Sequence, residues 1–285
     1  MMVVYKLPQL AGNDIGLLQL LYQLIAVELS DLSLKDADKV VILRNGCEVV
    51  ISEVVQAGTG TSGPKRVLEE TFKETSLSLE AMDFIVATGY GRNSVSYANK
   101  QLSEITCHGR GIAYLVPEAR TIIDIGGQDA KAIQLDKNGV IQKFAMNDKC
   151  AAGTGRFLEV MSRVLEIGLD DMASAHFKAD APAAVSSTCT VFAESEVISL
   201  LSQGVDLNNI VAGVHKSIAS KACSLAYRIG LEEKVVMCGG VAQDLGVVDA
   251  IEQELKCKVT VAPNPQITGA LGAALLAYQS CAKKA

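Results

Sequence analysis

The sequence predicts an α/β fold made of two duplicated lobes. Three observations carry this expectation. Short apolar runs of strand character alternate with longer runs of helical character. Glycine-rich turns recur between them: Gly58–Gly63 (GTGTSG), Thr88–Asn93 (TGYGRN), Asp124–Asp129 (DIGGQD), Gly153–Gly155 (GTG), Cys238–Asp244 (CGGVAQD) and Thr268–Gly272 (TGALG). The pattern of the first half also returns in the second, a sign of internal repetition.

The run Val40–Val55, VVILRNGCEVVISEVV, predicts two strands turning on Asn45–Gly46, because Asn-Gly favours the backbone of a tight hairpin. It leads into AGTGTSG. Asp83–Ala87 (DFIVA) predicts a further strand, and Arg120–Ile125 (RTIIDI) opens the second half. From Asp124 to Met146 the chain reads strand, glycine turn, strand, Asn-Gly hairpin, strand, and then reaches AAGTGR. Lys234–Met237 (KVVM) predicts a later strand. Gly155–Leu165, Val191–Leu201, Asn208–Ile229 and Thr268–Tyr278 predict helices. The boundary falls near Val116–Arg120, giving a first lobe at 39–117 and a second at 118–285. Counting back from the first hairpin, the counterpart of DIGGQD falls near Asp31, in DLSLKDADK, which contains no glycine. Residues 1–38 are therefore an atypical N-terminal segment.

Composition excludes several classes. The 285 residues are 49% hydrophobic and 20% charged, which predicts a globular chain. A net charge of −6 argues against a nucleic-acid or anionic-membrane surface. With no Trp and 5% aromatic residues, base-stacking platforms are not expected. The apolar run Ile15–Val27 contains two Gln and falls short of the roughly 20 residues of a membrane span. It lacks the flanks of a secretory signal. A cytoplasmic protein without membrane partners is expected. The eight cysteines form no CxxC pair and do not read as a disulfide framework.

The glycine turns point to phosphate. A Gly-Gly turn after a buried strand lets backbone N–H groups approach a phosphate with no β-carbon in the way. Gly126 and Gly127 provide such a turn. Asp124, at the strand end, is placed to hold Mg²⁺ through water, and Gln128 and Asp129 to reach an attacking water. Gly239 and Gly240 repeat the device and can clamp a ribose and phosphate. TGALGAALLAY offers small residues at a helix start, where an adenine can lie flat. Any one loop is accounted for by an ordinary tight turn, but three in a duplicated α/β chain favour a nucleotide site. No GxxxxGK[ST] loop is present, and no GxGxxG follows a strand and opens a helix. The remaining solution is the cleft between duplicated ribonuclease-H-like lobes, as in the acetate and sugar kinase, heat-shock chaperone and actin superfamily.

Two cysteines open helical runs: Cys150 in DKCAAGTGRFLEV and Cys189 in SSTCTVFAESEVISLL. Helix N-termini stabilise thiolates and, equally, an anionic iron–sulfur cluster. A 4Fe–4S cluster takes four thiolates. Three readings remain open on spacing. Cys223 and Cys238 complete a set within one chain; two chains each give two ligands across a two-fold axis; or both cysteines are buried packing residues.

The motifs NDKCAAGTGRFLEVM, SSTCTVFAESEVISLLSQG, AGTGTSGP, ATGYGRN, IDIGGQDAK, CGGVAQD and TGALGAALLAY together closely resemble the activator ATPases (component A) of 2-hydroxyacyl-CoA dehydratases. These lie within the wider family of benzoyl-CoA reductase ATP-binding subunits. The likeness runs from about Val40 to Tyr278. It implies a homodimer holding one 4Fe–4S cluster between Cys150 and Cys189 of each chain, with ATP and Mg²⁺ in each cleft, and an oxygen-sensitive protein of anaerobic metabolism. It implies one electron taken from ferredoxin or flavodoxin and driven by ATP hydrolysis into a dehydratase. By the same resemblance Asp124, Gly126, Gly127, Gln128 and Asp129 serve phosphates, metal and water. Gly239, Gly240 and Gln243 serve the nucleoside, and Gly269 and Gly272 flank the base. Glu194 is either a relay between cluster and cleft or a solvated helix-start carboxylate. The alternatives are an ATP-binding subunit of a benzoyl-CoA-type reductase and a degenerate relative without turnover.

One departure stands against this. The family opens with a strand and glycine-rich hairpin, roughly GIDxGSTxxK, which residues 1–38 do not resemble. The abrupt change points to a shifted reading frame or misplaced start rather than a divergent N-terminus. A chain as written is expected to lack the first strand and half of the phosphate cradle, with weakened ATP hydrolysis.

Overall fold

The computed structural model describes residues 23–29, 37–46, 48–56, 63–75, 77–186 and 189–282. They divide into two units, one of residues up to Tyr114 together with those from Ile267 onward, the other Leu115–Gln266.

The first unit is built on five strands: β1 (Gln23–Leu29), β2 (Ala37–Arg44), β3 (Glu48–Gln56), β4 (Phe84–Gly89) and β5 (Lys100–Gln101). Their order is β3-β2-β1-β4-β5. β2 and β3 form the expected hairpin, with Asn45 at φ 55° and Gly46 at φ 69°. These left-handed values match the twist of the flanking strands. The unbroken run Val40–Leu43 is fully buried, as in a strand covered on both faces. Helix α1 (Gly63–Thr75) packs Val67 and Leu68 against Val40, Ile42, Ile85 and Ala87. The last helix of the chain packs on β1, β2 and β4; it spans Thr268–Ala282 and is numbered α8 below. The sequence reading placed that helix in the second lobe; it belongs with the first unit. α2 (Glu104–Leu115) completes this unit.

β1 corrects one expectation. The segment thought to lack the family's first strand supplies one. Gln23–Leu29 pairs antiparallel with β2 and parallel with β4, at the centre of the sheet. Part of the apolar run Ile15–Val27 is thus a central strand, which needs only apolar content and backbone partners. The residues after it, where the glycine hairpin would lie, are outside the described ones.

The second unit repeats the plan. Its strands are β6 (Thr121–Ile125), β7 (Ala130–Leu135), β8 (Ile141–Asn147), β9 (Val235–Cys238) and β10 (Val259–Val261). Their order, β10-β9-β6-β7-β8, is that of the first sheet read from the other edge. The register repeats too. Asp124 faces Lys131 on β7 and Cys238 on β9, as Glu28 faces Lys39 on β2 and Thr88 on β4. Helices α3 (Gly155–Val164), α4 (Leu169–His176), α5 (Thr190–Ser202), α6 (Leu207–Ile229) and α7 (Leu245–Leu255) follow. α6 packs on β6, β7 and β8, α7 and α4 on α6, and α3 on α5. Phe157, Met161, Val197, Val214, Ile218 and Met237 are fully buried in the shared core. No helix among the described residues is long and apolar enough to cross a membrane.

The β1 assignment is testable. Ala26 pairs with Val41 on one side and Val86 on the other. A26P removes its N–H and leaves a ladder carbonyl unsatisfied, at a cost of about 1–3 kcal/mol. Denaturant unfolding should show that loss; an unchanged midpoint would mean that the strand is dispensable.

Candidate functional site

The second unit brings the glycine turns of the two central strands together. β6 ends at Ile125 and runs into Gly126-Gly127-Gln128-Asp129; β9, its parallel neighbour, ends at Cys238 and runs into Gly239-Gly240. This is the carboxyl end of adjacent strands, where α/β sheets bind ligands. Gly239 has φ 85°, and a β-carbon there would collide with the carbonyl oxygen of Ile125 and lie 2.8 Å from Asp124 Oδ1. Only glycine fits. The turn is fixed by the Gly239 N–H donating to Pro265 O at 2.9 Å, and Gln243 Nε2 donates to Gln266 Oε1 at 3.2 Å.

The acidic residues of the first turn are buried. Asp124 Oδ2 accepts from Lys131 Nζ at 3.1 Å, and Asp129 Oδ2 lies 2.7 Å from the same ammonium. Cys238 Sγ donates to Asp124 Oδ1 at 3.4 Å. Gly126 N–H donates to Asp129 O at 2.9 Å, which closes the turn. Gly127 is exposed and Gln128 half-exposed, so this rim faces outward while its carboxylates stay inside. Lys131 closes the motif IDIGGQDAK. Its presence four residues after Gly127, on an apolar strand, was the available signal.

The second turn rests on another charged group. Asp244 caps α7, accepting the N–H groups of Gly246 at 2.9 Å and Val247 at 3.3 Å. His215 Nε2, fully buried on α6, lies 3.3 Å from Asp244 Oδ2. Burial opposes ionisation of Asp244, but the imidazole and the helix N–H groups outweigh it and hold its pKa below the ordinary value. The His176 ring lies 5.0 Å from that of His215 and meets Asp249 Oδ2 at 3.0 Å.

Cys150 lies in the turn between β8 and α3. Asn147 Nδ2 donates to Cys150 O at 2.9 Å, and Thr154 Oγ1 donates to Ala151 O at 2.6 Å. Cys189 is the N-cap of α5, in extended conformation, and its carbonyl accepts from Ala193 N–H at 3.0 Å. Both are half-buried, whereas Cys107, Cys223 and Cys238 are buried. Burial pushes the Cys223 thiol up to about 12, and Cys238 is bonded to Asp124, so neither suits a shared ligand set with Cys150 and Cys189. The first turn of α3 reaches the turn after β6: Gly155 N–H donates to Gly126 O at 2.9 Å and Arg156 N–H to Gly127 O at 2.8 Å. On α5, Glu194 is half-buried; it is Glu196 that makes a contact, accepting Ser186 N–H at 2.6 Å.

Gly269 and Gly272 lie in the first unit, buried in α8. A β-carbon at Gly272 would collide with the carbonyl of Cys107 and lie 2.8 Å from Gly111 N on α2. Close packing of two helices is therefore enough to require glycine at this position.

Paired five-stranded sheets of one topology, with glycine turns over buried carboxylates, define an ATPase of the two-lobed sugar kinase and actin class. The chain belongs to the BadF/BadG/BcrA/BcrD ATPase family, whose model matches residues 37–277. It is 63% identical over 248 residues to the activator of lactoyl-CoA dehydratase from Anaerotignum propionicum, covering 87% of this chain and 96% of that one. The solved activator of the 2-hydroxyisocaproyl-CoA dehydratase from Clostridium difficile, with bound ADPNP, is 48% identical with a TM-score of 0.86, covering 92% of this chain and 96% of that one. A ROK-family glucokinase from Streptomyces griseus, in complex with glucose and AMPPNP, is 11% identical with a TM-score of 0.55, covering 90% and 99%; it shares the fold alone.

Replacing Asp244 by Ala should cost about 0.5–2 kcal/mol of stability at pH 7, the range for a lost N-cap. Because the folded pKa is depressed, this contribution is present above the ordinary aspartate value of about 4 and disappears as the pH falls through the folded value. The melting temperatures of D244A and the parent chain should therefore draw together as the pH falls below about 4.

Proposed function

We propose that this chain is an ATP-dependent one-electron activator of a 2-hydroxyacyl-CoA dehydratase, acting as a homodimer in which Cys150 and Cys189 of each copy hold one 4Fe–4S cluster. The observation that carries it is the hydrogen-bonded junction between the phosphate turn and the helix behind Cys150. The two activators named above, of lactoyl-CoA dehydratase and of 2-hydroxyisocaproyl-CoA dehydratase, support the same reading.

The residues fit both groups. Two half-exposed cysteines, Cys150 in the turn before α3 and Cys189 at the N-cap of α5, precede helices that pack together, and Cys189 lies where a helix N-terminus favours a thiolate. Two ligands per chain make a set of four in a symmetric pair. Next to Cys189, α5 exposes Val191 (66%), Phe192 (64%) and Ile198 (53%), an apolar face that a second copy, brought together at the cluster, would cover. When bound, the cluster supplies a single electron at low potential, received from ferredoxin or flavodoxin and passed to the dehydratase.

The chain's own residues do the rest. Asp124 holds Mg²⁺ through water, Gly127 and Gly240 present N–H groups to the phosphates, Gly126 and Gly239, whose N–H groups close the turns, keep β-carbons out of the way, and Gln128 and Asp129 position the attacking water. Loss of the terminal phosphate changes the charge at Gly126–Gly127. The two hydrogen bonds carry the adjustment of that turn into α3, and with it the Cys150 end. The coupling is linkage, so nucleotide shifts the helix only by its differential affinity for the two arrangements.

Anaerobic reconstitution with iron and sulfide tests the reading. About four irons per two chains are expected, with C150S and C189S each losing the visible absorption; a folded chain that binds no iron would end the proposal. D124N should lower ATP turnover on the order of a hundredfold, as expected when one preorganised electrostatic partner is lost. An undiminished rate in an anaerobic phosphate-release assay would remove Asp124 from the metal site.

A further inference from the structure

Lys131 stands where a cation would be expected to bind. It lies on β7 with its side chain 3% exposed. Its ammonium is 3.1 Å from Asp124 Oδ2 and 2.7 Å from Asp129 Oδ2. The remaining oxygen of Asp124 accepts the Cys238 thiol, and Asp129 Oδ1 lies against the turn, 2.7 Å from where a β-carbon on Gly126 would sit. Both carboxylates are thus turned inward and share one counter-ion. A lysine buried to this degree needs partners of opposite charge, and these are the two acids assigned to metal and water.

We propose that Lys131 is a resident counter-ion that excludes free Mg²⁺ from the nucleotide-free protein and admits the metal only together with phosphate. The inference rests on reading Asp124–Asp129 as the metal and phosphate turn. Without nucleotide, a divalent ion at these carboxylates would sit beside a buried ammonium, and like-charge repulsion opposes it. The phosphates of a nucleotide change the balance. They bring negative charge to the ammonium as well as to the metal, so Lys131 can swing from carboxylate to phosphate as the metal takes its place. The arrangement makes metal and nucleotide binding strongly cooperative. It also keeps the two carboxylates in position when the site is empty, because neither is left as a buried uncompensated charge.

Electron paramagnetic resonance of Mn²⁺, alone and with ADP, tests this on the whole chain. The parent chain should bind Mn²⁺ in the presence of ADP and leave millimolar Mn²⁺ free in its absence. K131Q should bind Mn²⁺ without ADP at least about tenfold more tightly than the parent, since a like charge beside a divalent ion is worth more than the ~1.4 kcal/mol of one decade. K131R, which keeps the charge, should behave as the parent does. Tight Mn²⁺ binding by the parent without ADP would overturn the proposal, as would a folded K131Q with no gain. If K131Q does not fold, K131Q/D129N removes one charge of each sign and uncovers Asp124 alone; the same gain is expected, and its absence counts against the proposal equally. Should the parent fail to bind Mn²⁺ with ADP present, the nucleotide reading falls too, an outcome distinct from the others.

Discussion

Two backbone hydrogen bonds, from Gly155 and Arg156 of α3 to the carbonyls of Gly126 and Gly127, join the helix behind Cys150 to the turn after β6. They constrain what the residues around them can be. A β-carbon on Gly155 would lie 3.1 Å from Gly126 O and 3.3 Å from the Gly127 α-carbon, so the helix start is as small as the approach demands. Each such bond contributes about 0.5–1.5 kcal/mol net. That is weak beside the free energy of binding a nucleotide. It is also strongly directional, since the bond fails when the carbonyl turns away. The junction is therefore suited to transmitting a rotation of the turn rather than resisting it.

Each glycine turn stands on buried charge. Asp124 and Asp129 share Lys131 beneath the first, and Asp244 faces His215 beneath the second. Turns with little side-chain mass have few apolar contacts to hold them, so their position depends on what lies below. Buried ionic groups hold a geometry more sharply than apolar ones, because any displacement exposes an unpaired charge to a low-dielectric surrounding. His215 adds shape to charge: a β-carbon on Gly246 would lie 2.6 Å from its Nδ1, so the imidazole packs directly on the first turn of α7.

Periodicity and turn chemistry made most of this unit legible in the sequence. Helices expected at Gly155–Leu165, Val191–Leu201 and Asn208–Ile229 lie at Gly155–Val164, Thr190–Ser202 and Leu207–Ile229. Both Asn-Gly hairpins form, and the two sheets share one strand order. What stayed hidden depends on which side chains the fold turns toward one another. Lys131 reads as an odd polar residue on an apolar strand until the fold brings Asp124 and Asp129 against it. His215 and Asp244 are separated by most of α6 and all of β9. The close packing of α8 on α2 was hidden because a glycine that permits it, Gly272, lies in a run that reads as a nucleotide loop. A small residue at a helix start gives the same letter for a ligand and for a neighbouring helix.

The central strand of the first sheet carries the same lesson in the other direction. Its sequence, QLIAVEL, has none of the glycines or the acid-and-glycine spacing by which the family's opening would be recognised. Yet its backbone register is that of β6. Glu28 stands opposite Lys39 and Thr88 as Asp124 stands opposite Lys131 and Cys238, and the strand ends one residue further on in both sheets. A strand hydrogen-bonded on both sides is specified by its neighbours: β2 and β4 offer complementary ladders, and any apolar segment without proline can complete them. A turn that binds phosphate is specified by its own residues, because glycine is needed wherever the backbone must meet the ligand. Loss of such a motif therefore removes far less of a sheet than of a phosphate-binding turn.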